Sequence, residues 1–451
     1  MTDILNLPFY KALEVRENDY DYLVLASSTV PITCCSNCQS LEFIKHGTRE
    51  PTFMDIPTHG KRLGIRVIRQ RYRCKSCGNV FVDPLMGMDE NHAMTERLIK
   101  YIQEQSLIRT FTSIADDVGV DEKLIRNVFR AYVTTLESQH TIQTPKWLGI
   151  DEIHILGSPR CVLTNVKERT LIEMLKTRNK PMVEKYLLEM PNRNRIEVVT
   201  MDMWQPYRDA VTAVIPQAKI VVDRFHVVKM ANKGLDEMRK SLKAGMTTSQ
   251  KRQLMRDRYI LLKRHSDLQP KDLLLLDTWL SNIPALKTAY KLKEFFFEMY
   301  ELNDKKEAQD RYQVWLDTLE ANPDVYPYFS DLVRAVGNWY DPIFNFFDFK
   351  ITNGYTEAIN GLIKIANRIG RGYSFEAIRA KMLFRDGHKT KPNFRKNGGR
   401  LYRTVFDKET GQEIIVNNLV RVIRTPDDEN DFIDFGVAIT TLTSMIDHHK
   451  L

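Results

Sequence analysis

Nowhere is this chain apolar for long enough to cross a bilayer. The best candidate, Phe435 to Ile446, falls short of the roughly 18 residues that a spanning helix needs and is interrupted by threonines and a serine. The beginning, Met1-Thr2-Asp3, lacks the basic-then-apolar pattern of an export signal. A membrane or secreted protein is therefore not expected, and a cytoplasmic one is. Cysteine is scarce, with six in 451 residues, too few for a chain-wide disulfide framework. Hydrophobic residues are not scarce: they make up 43% against 27% charged, which excludes wholesale disorder. At this length one core does not suffice, and about two to four domains are expected.

What is present is unevenly placed. Lys and Arg total 66 against 58 Asp and Glu, a net charge of only +8. Between Arg224 and Arg264, however, twelve cations face three acids, Asp236, Glu237 and Asp257. Such a stretch suits a phosphate backbone, the plainer reading being a solvated helix face.

Five of the six cysteines lie between Cys34 and Cys77. Cys35-Ser36-Asn37-Cys38 and Cys74-Lys75-Ser76-Cys77 form two CxxC knuckles, the donor set of one tetrahedral Zn²⁺. The 35 residues between them exceed the usual roughly 15–20, which a zinc ribbon tolerates if the insert is a hairpin. Leu63 to Arg73 alternates like a strand, and it is basic through Arg66, Arg69, Arg71 and Arg73. Disulfides are disfavoured in a reducing compartment. Cys34 competes with Cys35 as a ligand, and the matching spacing favours Cys35.

From Met94 to Val133 apolar residues recur at helical spacing. Ala115, Gly119 and Ile125 match a helix-turn-helix: a small residue at the crossing, glycine at the turn, a branched anchor in the second helix. Asp121 is positioned to cap that helix. Its outward residues Lys123, Arg126, Asn127 and Arg130 are of types that reach base edges or phosphates. A small three-helix bundle gives the same pattern without DNA.

Beyond a linker, Trp147 to His154 reads as an apolar strand carrying Asp151, with hairpin partners at Val162 to Val166 and Thr170 to Leu175. Ile196 to Met201 ends on Asp202, and Lys219 to Val222 ends on Asp223. Open α/β sheets place active sites at such carboxyl ends. A later helix carries Glu357. Two strand carboxylates and one helix carboxylate would hold a pair of Mg²⁺ or Mn²⁺ ions about 4 Å apart for phosphoryl transfer. Strand-end aspartates also merely cap turns.

At these residues the chain resembles the ISL-three insertion-sequence family of bacterial DDE transposases, from the zinc knuckles to about residue 386. The carrying segments are GIDE (149–152), TMDMWQPYRDAV (200–211), DRFHVVKMAN (223–232), TNGYTEAINGLIK (352–364) and RIGRGYSFEAIRAK (368–381). The resemblance implies an α/β catalytic core of ribonuclease-H-like type, interrupted by an all-helical insertion and preceded by a zinc ribbon and a helix-turn-helix. It implies catalytic Asp151, Asp202 and Glu357 holding two Mg²⁺ or Mn²⁺ ions, with Asp223 and His226 of the DRFH segment in support. Lys364, two turns beyond Glu357 on the same face, is either a contact to the scissile phosphate or a solvated lysine. The extra thiol Cys34, and Thr352 where serine is expected, depart from the pattern.

The expected domains are a zinc ribbon (1–90), a helix-turn-helix (91–138), a catalytic core in two parts (146–228 and 350–386), a helical insertion (229–349) and a C-terminal extension (387–451) for DNA contact or dimerisation. The extension holds a basic segment, Lys389 to Lys396, and hairpin strands at Leu401 to Phe406 and Glu413 to Arg424. Within the insertion, Trp279, Trp315 and Trp339 are either core residues or platforms for an unpaired base. The implied function is a transposase acting on double-stranded DNA, at its own terminal inverted repeats and at a target. It works as a homodimer in the DNA complex, is nucleoid-associated, and has no membrane partner. The competing functions are a non-catalytic DNA-binding regulator and a structure-selective nuclease with the same metal site.

Overall fold

In the computed structural model, residues 5–385, 402–406 and 413–417 are described, and the chain divides into two units, 1–388 and 389–451. Alternation of apolar and polar residues builds the first sheet. Its strands are β1 (Tyr10–Glu17), β2 (Asp21–Ser28), β3 (Phe43–Arg49), β4 (Thr52–Thr58), β5 (Lys61–Cys74), β6 (Val80–Val82), β7 (Met88–Asp89) and β8 (Met94–Thr95). The main path runs β1-β2-β5-β4-β8-β7, while β3 and β6 both pair with β5. The first half of β5 buries Leu63, Ile65 and Val67 against Val24, Ala26 and Phe53. Its second half extends past that core into the knuckles, where Phe43, Tyr72 and Phe81 pack around Cys35 and Cys74. Arg69 is 7% exposed, donating to the Asp83 carbonyl and paired with Glu90. It belongs to the fold and not to a DNA-facing stripe.

Three helices follow, α1 (Glu96–Ser106), α2 (Phe111–Val118) and α3 (Glu122–Gln139). Thr95 and Thr110 cap the first two through their hydroxyls. Gly119 ends α2 at φ +74°, and a Cβ there would sit 2.8 Å from Cδ of Arg62. Only glycine satisfies both the turn and the close approach to the first sheet. Asp121 occupies the N-cap position of α3, but its side chain makes no capping bond, contrary to expectation.

The second sheet contains β9 (Trp147–Ile155), β10 (Ser158–Asn165), β11 (Thr170–Leu175), β12 (Val198–Met201) and β13 (Lys219–Val222). Its order is β11-β10-β9-β12-β13. The hairpin strands β9, β10 and β11 are antiparallel, while β12 and β13 run parallel to β9. The pleat splits β9 between two cores. Leu148 and Ile150 join α4 (Lys180–Glu189) and α5 (Gln205–Val214) on one side, through Val183, Leu187, Ala210 and Val211. Ile153 and Ile155 face Ile359 and Ile363 on the other, in a core shared with α1, α2 and α3.

From β13 the chain enters α6 (Arg224–Ser241), α7 (Thr248–Arg256), α8 (Arg258–Leu262), α9 (Pro270–Asn282), α10 (Pro284–Met299), α11 (Lys305–Glu320), α12 (Tyr326–Asn338) and α13 (Tyr340–Phe349). It then returns through α14 (Gly354–Ile369) and α15 (Phe375–Phe384). α6 runs unbroken through residue 228, where the sequence reading drew a domain boundary. Trp315 is 1% exposed and donates its indole N–H to the Leu292 carbonyl, Trp339 is buried, and Trp279 donates to Asp257. Trp315 and Trp339 serve the helical core, so the base-stacking alternative does not hold for them, while Trp279 is half-buried against that core. In the second unit, β14 (Tyr402–Phe406) and β15 (Glu413–Asn417) pair antiparallel, as the sequence reading expected for that part of the tail. Lys389 to Lys396 and residues 418–424 lie outside the described residues. No described helix is long and apolar enough to cross a membrane.

Candidate active site

Register brings three aspartates to one edge of the second sheet. Met201 on β12 pairs with Ile150 on β9 and Val222 on β13. The next residues of the three strands, Asp151, Asp202 and Asp223, therefore stand side by side. α14 crosses this edge with Glu357 in its first turn, where a helix favours an anion.

Small and polar residues lock α14 to the sheet. A Cβ on Gly149 would come within 2.5 Å of the Thr164 hydroxyl and 2.6 Å of that of Thr356. These hydroxyls are hydrogen-bonded to each other at 2.7 Å, and Thr356 also donates to Asn353 Oδ1 at 2.6 Å. The Asn353 backbone N–H donates to Asp223 Oδ2 at 3.2 Å. Asp223 Oδ1 accepts from the backbone N–H of Phe225 and so caps α6. One turn beyond Glu357, Asn360 donates its amide to Asp151 Oδ2 at 2.7 Å, while Oδ1 accepts the Glu152 backbone N–H. Asn360 is 6% exposed. Both oxygens of Asp151 are thus fixed before any ligand arrives.

His226, one turn into α6, places Nε2 2.9 Å from Asp202 Oδ1 and 3.8 Å from Glu357 Oε1. Burial opposes its charge, but the hydrogen bonds to Asp202 and Glu357 outweigh it and raise its pKa to about 10. Burial, then the charge of Asp202, pushes Asp151 up to about 8, with His226 pulling the other way. Burial also raises Asp223, against the Phe225 N–H.

Asp223, His226 and Glu357 have ligand atoms all within 4.8 Å of one another. Asp151 and Asp202 lie outside that tightest set. The structure therefore gathers all five residues singled out from the sequence at one strand edge, with the imidazole of His226 between Asp202 and Glu357. Glu152 points to the opposite face and pairs with Arg178, and His154 is exposed. Lys364 is exposed two turns along α14 from Glu357. The sequence reading missed Asn353, Thr356 and Asn360.

The knuckles meet as the spacing predicts. Sγ of Cys35 is 3.8 Å from that of Cys77, Cys38 is 3.5 Å from Cys74, and all four sulfurs lie within 4.8 Å of one another. Sulfurs about 2.3 Å from a tetrahedral zinc are about 3.8 Å apart, so the set fits that ion. The backbone N–H of Cys77 leads in lowering the Cys74 thiol to about 6, toward the thiolate that binds metal. Cys34 stands outside the set.

On α3, Lys123, Asn127 and Arg130 are exposed along one stripe. Arg126 is not part of it. Its guanidinium pairs with Glu122 and lies 5.1 Å above the ring of Phe111 and 5.8 Å above that of Tyr373. It packs α3 against the loop before α15.

A zinc ribbon, a helix-turn-helix and a transposase domain, in that order, define a DNA-cleaving transposase of the insertion-sequence type. The chain belongs to transposase family ISL3, whose transposase pattern matches residues 148–382, just over half its length. The zinc-finger pattern of the IS204/IS1001/IS1096/IS1165 transposases matches residues 32–77, and the family's helix-turn-helix pattern matches 86–133. The chain is also similar to the transposase for insertion sequence element IS1001 of Bordetella parapertussis. The two are 20% identical over 352 residues, covering 76% of this chain and 86% of that one.

Proposed function

We propose that this transposase binds the terminal inverted repeats of its own insertion sequence, then cleaves and rejoins DNA through Asp151, Asp202 and Glu357. In this reading β9 to β13 with α14 form a ribonuclease-H-like core, and the helices between β13 and α14 are an insertion within it. For the domain limits we keep those proposed from the sequence, with the start of the insertion moved to follow α6. The observation that carries the reading is the convergence of carboxylates from two parallel strands and a crossing helix on one sheet edge.

The donor set fits hard divalent cations. The oxygens are carboxylate, and burial, then the charge of Asp202, holds Asp151 at about 8 in the ions' absence. Asp151, Asp202 and Glu357 would hold two Mg²⁺ or Mn²⁺ ions, which supply an activated water or 3′-hydroxyl and charge for the leaving oxygen. The protein's own part is positioning. Asn360 and the Glu152 N–H fix both Asp151 oxygens, and the threonine pair fixes the depth of α14 and hence of Glu357. At neutral pH His226 carries a proton and balances Asp202 and Glu357. Lys364 extends the α14 face toward a bound phosphate.

Lys123, Asn127 and Arg130 read or grip the repeat, with the zinc ribbon alongside. Both element ends must be held together, which implies a homodimer in the DNA complex and a protein resident on the nucleoid. The test is a purified-protein assay with labelled terminal-repeat duplex and Mg²⁺, resolved for nicked and joined products. Mg²⁺-dependent nicking followed by joining is the expected result. Binding without nicking indicates a regulator, and nicking without joining indicates a nuclease.

A further inference from the structure

A groove of about 740 Å³ leaves the acidic edge at Asp202 and His226 and follows α6 toward α8. Its lining mixes two chemistries. The cations are Lys229, Lys233 and Lys240, spaced so that they share a face of α6, joined by Arg258 from α8. Lys229 and Lys240 are about 16 Å apart along the helix axis. Between and beside these cations the lining is apolar, through Met203, Trp204, Met230 and Leu262, all half-buried.

The cations are only partly balanced. Lys233 pairs with Glu237 and Asp331, at 3.7 and 3.2 Å. Asp236 alone serves Arg239, Lys240 and Arg258, each at 2.9 to 3.0 Å. One carboxylate against three cations leaves positive charge along α6, to which Lys229, exposed one turn beyond His226, adds; the groove's other acids are Glu152, paired with Arg178, and Asp202 at the acidic edge.

A cationic stripe interleaved with apolar side chains matches a ligand that carries both phosphates and uncovered base faces. A duplex hides its base faces. The groove's volume is that of a pocket for one or two small molecules. We propose that the α6 groove binds an unpaired DNA strand continuing from the phosphate at the acidic edge, with Lys229 and Lys240 on its backbone. The proposal rests on the transposase reading given above, and it adds the path of the strand.

The test uses full-length protein carrying Asp151→Ala, in chelator so that no chemistry intervenes, with a labelled single-stranded oligonucleotide followed by anisotropy across a salt series. Adding Lys229→Gln and Lys240→Gln, both at exposed positions, is expected to weaken binding about tenfold and to flatten the log–log salt slope by about 1.4. An abasic strand of equal length is expected to bind the unaltered groove more weakly, which needs no groove variant to fold. Unchanged affinity and slope in the lysine variant, or equal binding of the abasic strand, overturns the proposal. Either failure leaves the cleavage assay untouched, so the groove and the catalytic site are judged separately.

Discussion

Gly149 is where the packing of this fold and its chemistry are most tightly joined, and replacing it with alanine tests both. The new methyl would meet two hydroxyl oxygens at 2.5 and 2.6 Å and Cγ2 of Val166 at 2.9 Å, against 3.4 Å for ordinary contact. Neither hydroxyl belongs to a long flexible side chain, and the two are bonded to each other. Relief therefore requires Thr356, and α14 with it, to retreat from β9 by nearly 1 Å, and the end of β10 at Thr164 to shift as well. Overpacking of this kind costs about 1–3 kcal/mol, read as a lowered urea midpoint. The larger effect is on rate, because Glu357 moves with α14 relative to Asp151, and a displacement of about 1 Å costs about a hundredfold. Gly361→Ala on the same helix is the control, since nothing lies within 4 Å of its added Cβ. That substitution is expected to stabilise by up to about 1 kcal/mol through helix propensity and to leave cleavage intact. Wild-type cleavage by Gly149→Ala, with an unchanged midpoint, refutes the argument.

Three further outcomes follow from the same geometry. Asn360→Ala frees Asp151 Oδ2 and removes a buried hydrogen bond, so cleavage falls while duplex binding, measured by filter retention, holds; loss of both together argues for a merely structural asparagine. Asp151 keeps its proton in the folded, ion-free protein from about pH 4, where the unfolded chain releases it, up to about 8. Its contribution to stability is therefore lost as pH rises through that window. In chelator the stability difference between wild type and Asp151→Asn shifts in favour of the variant from pH 5 to pH 9, and a pH-independent difference contradicts the assignment. Arg130→Ala lowers the salt slope of duplex binding by about 1, whereas Arg126→Ala leaves the slope alone and lowers stability by about 1 kcal/mol through lost ring contacts; the reverse pattern would put Arg126 on DNA.

Features with strict spacing were readable from the sequence. Two CxxC knuckles dictate a four-sulfur site wherever the intervening chain goes, and β5 is long enough to serve both the sheet and the knuckles. Apolar strands ending on aspartate show Asp202 and Asp223, and Asp151 shows as an acid within the apolar strand β9, because buried strands leave few places for a charge. Asn353, Thr356 and Asn360 stayed hidden because single polar residues on a helix look solvated until the sheet is laid against them. Arg126 misled for a related reason. Helical periodicity places it outward from α1 and α2, while the face it covers is closed by Phe111 and by Tyr373, which is remote in sequence. The three insertion tryptophans show the limit of composition, since aromatic residues in helices serve a core or a ligand with the same pattern.

The account stands most directly on single-turnover cleavage of terminal-repeat DNA in Mg²⁺ by wild type, Asp151→Asn, Asp202→Asn and Glu357→Gln, with binding measured in the same samples. It predicts that all four proteins hold the duplex with similar affinity and that only the wild type yields nicked and joined strands. Cleavage at the wild-type rate by any one of the three variants would contradict it.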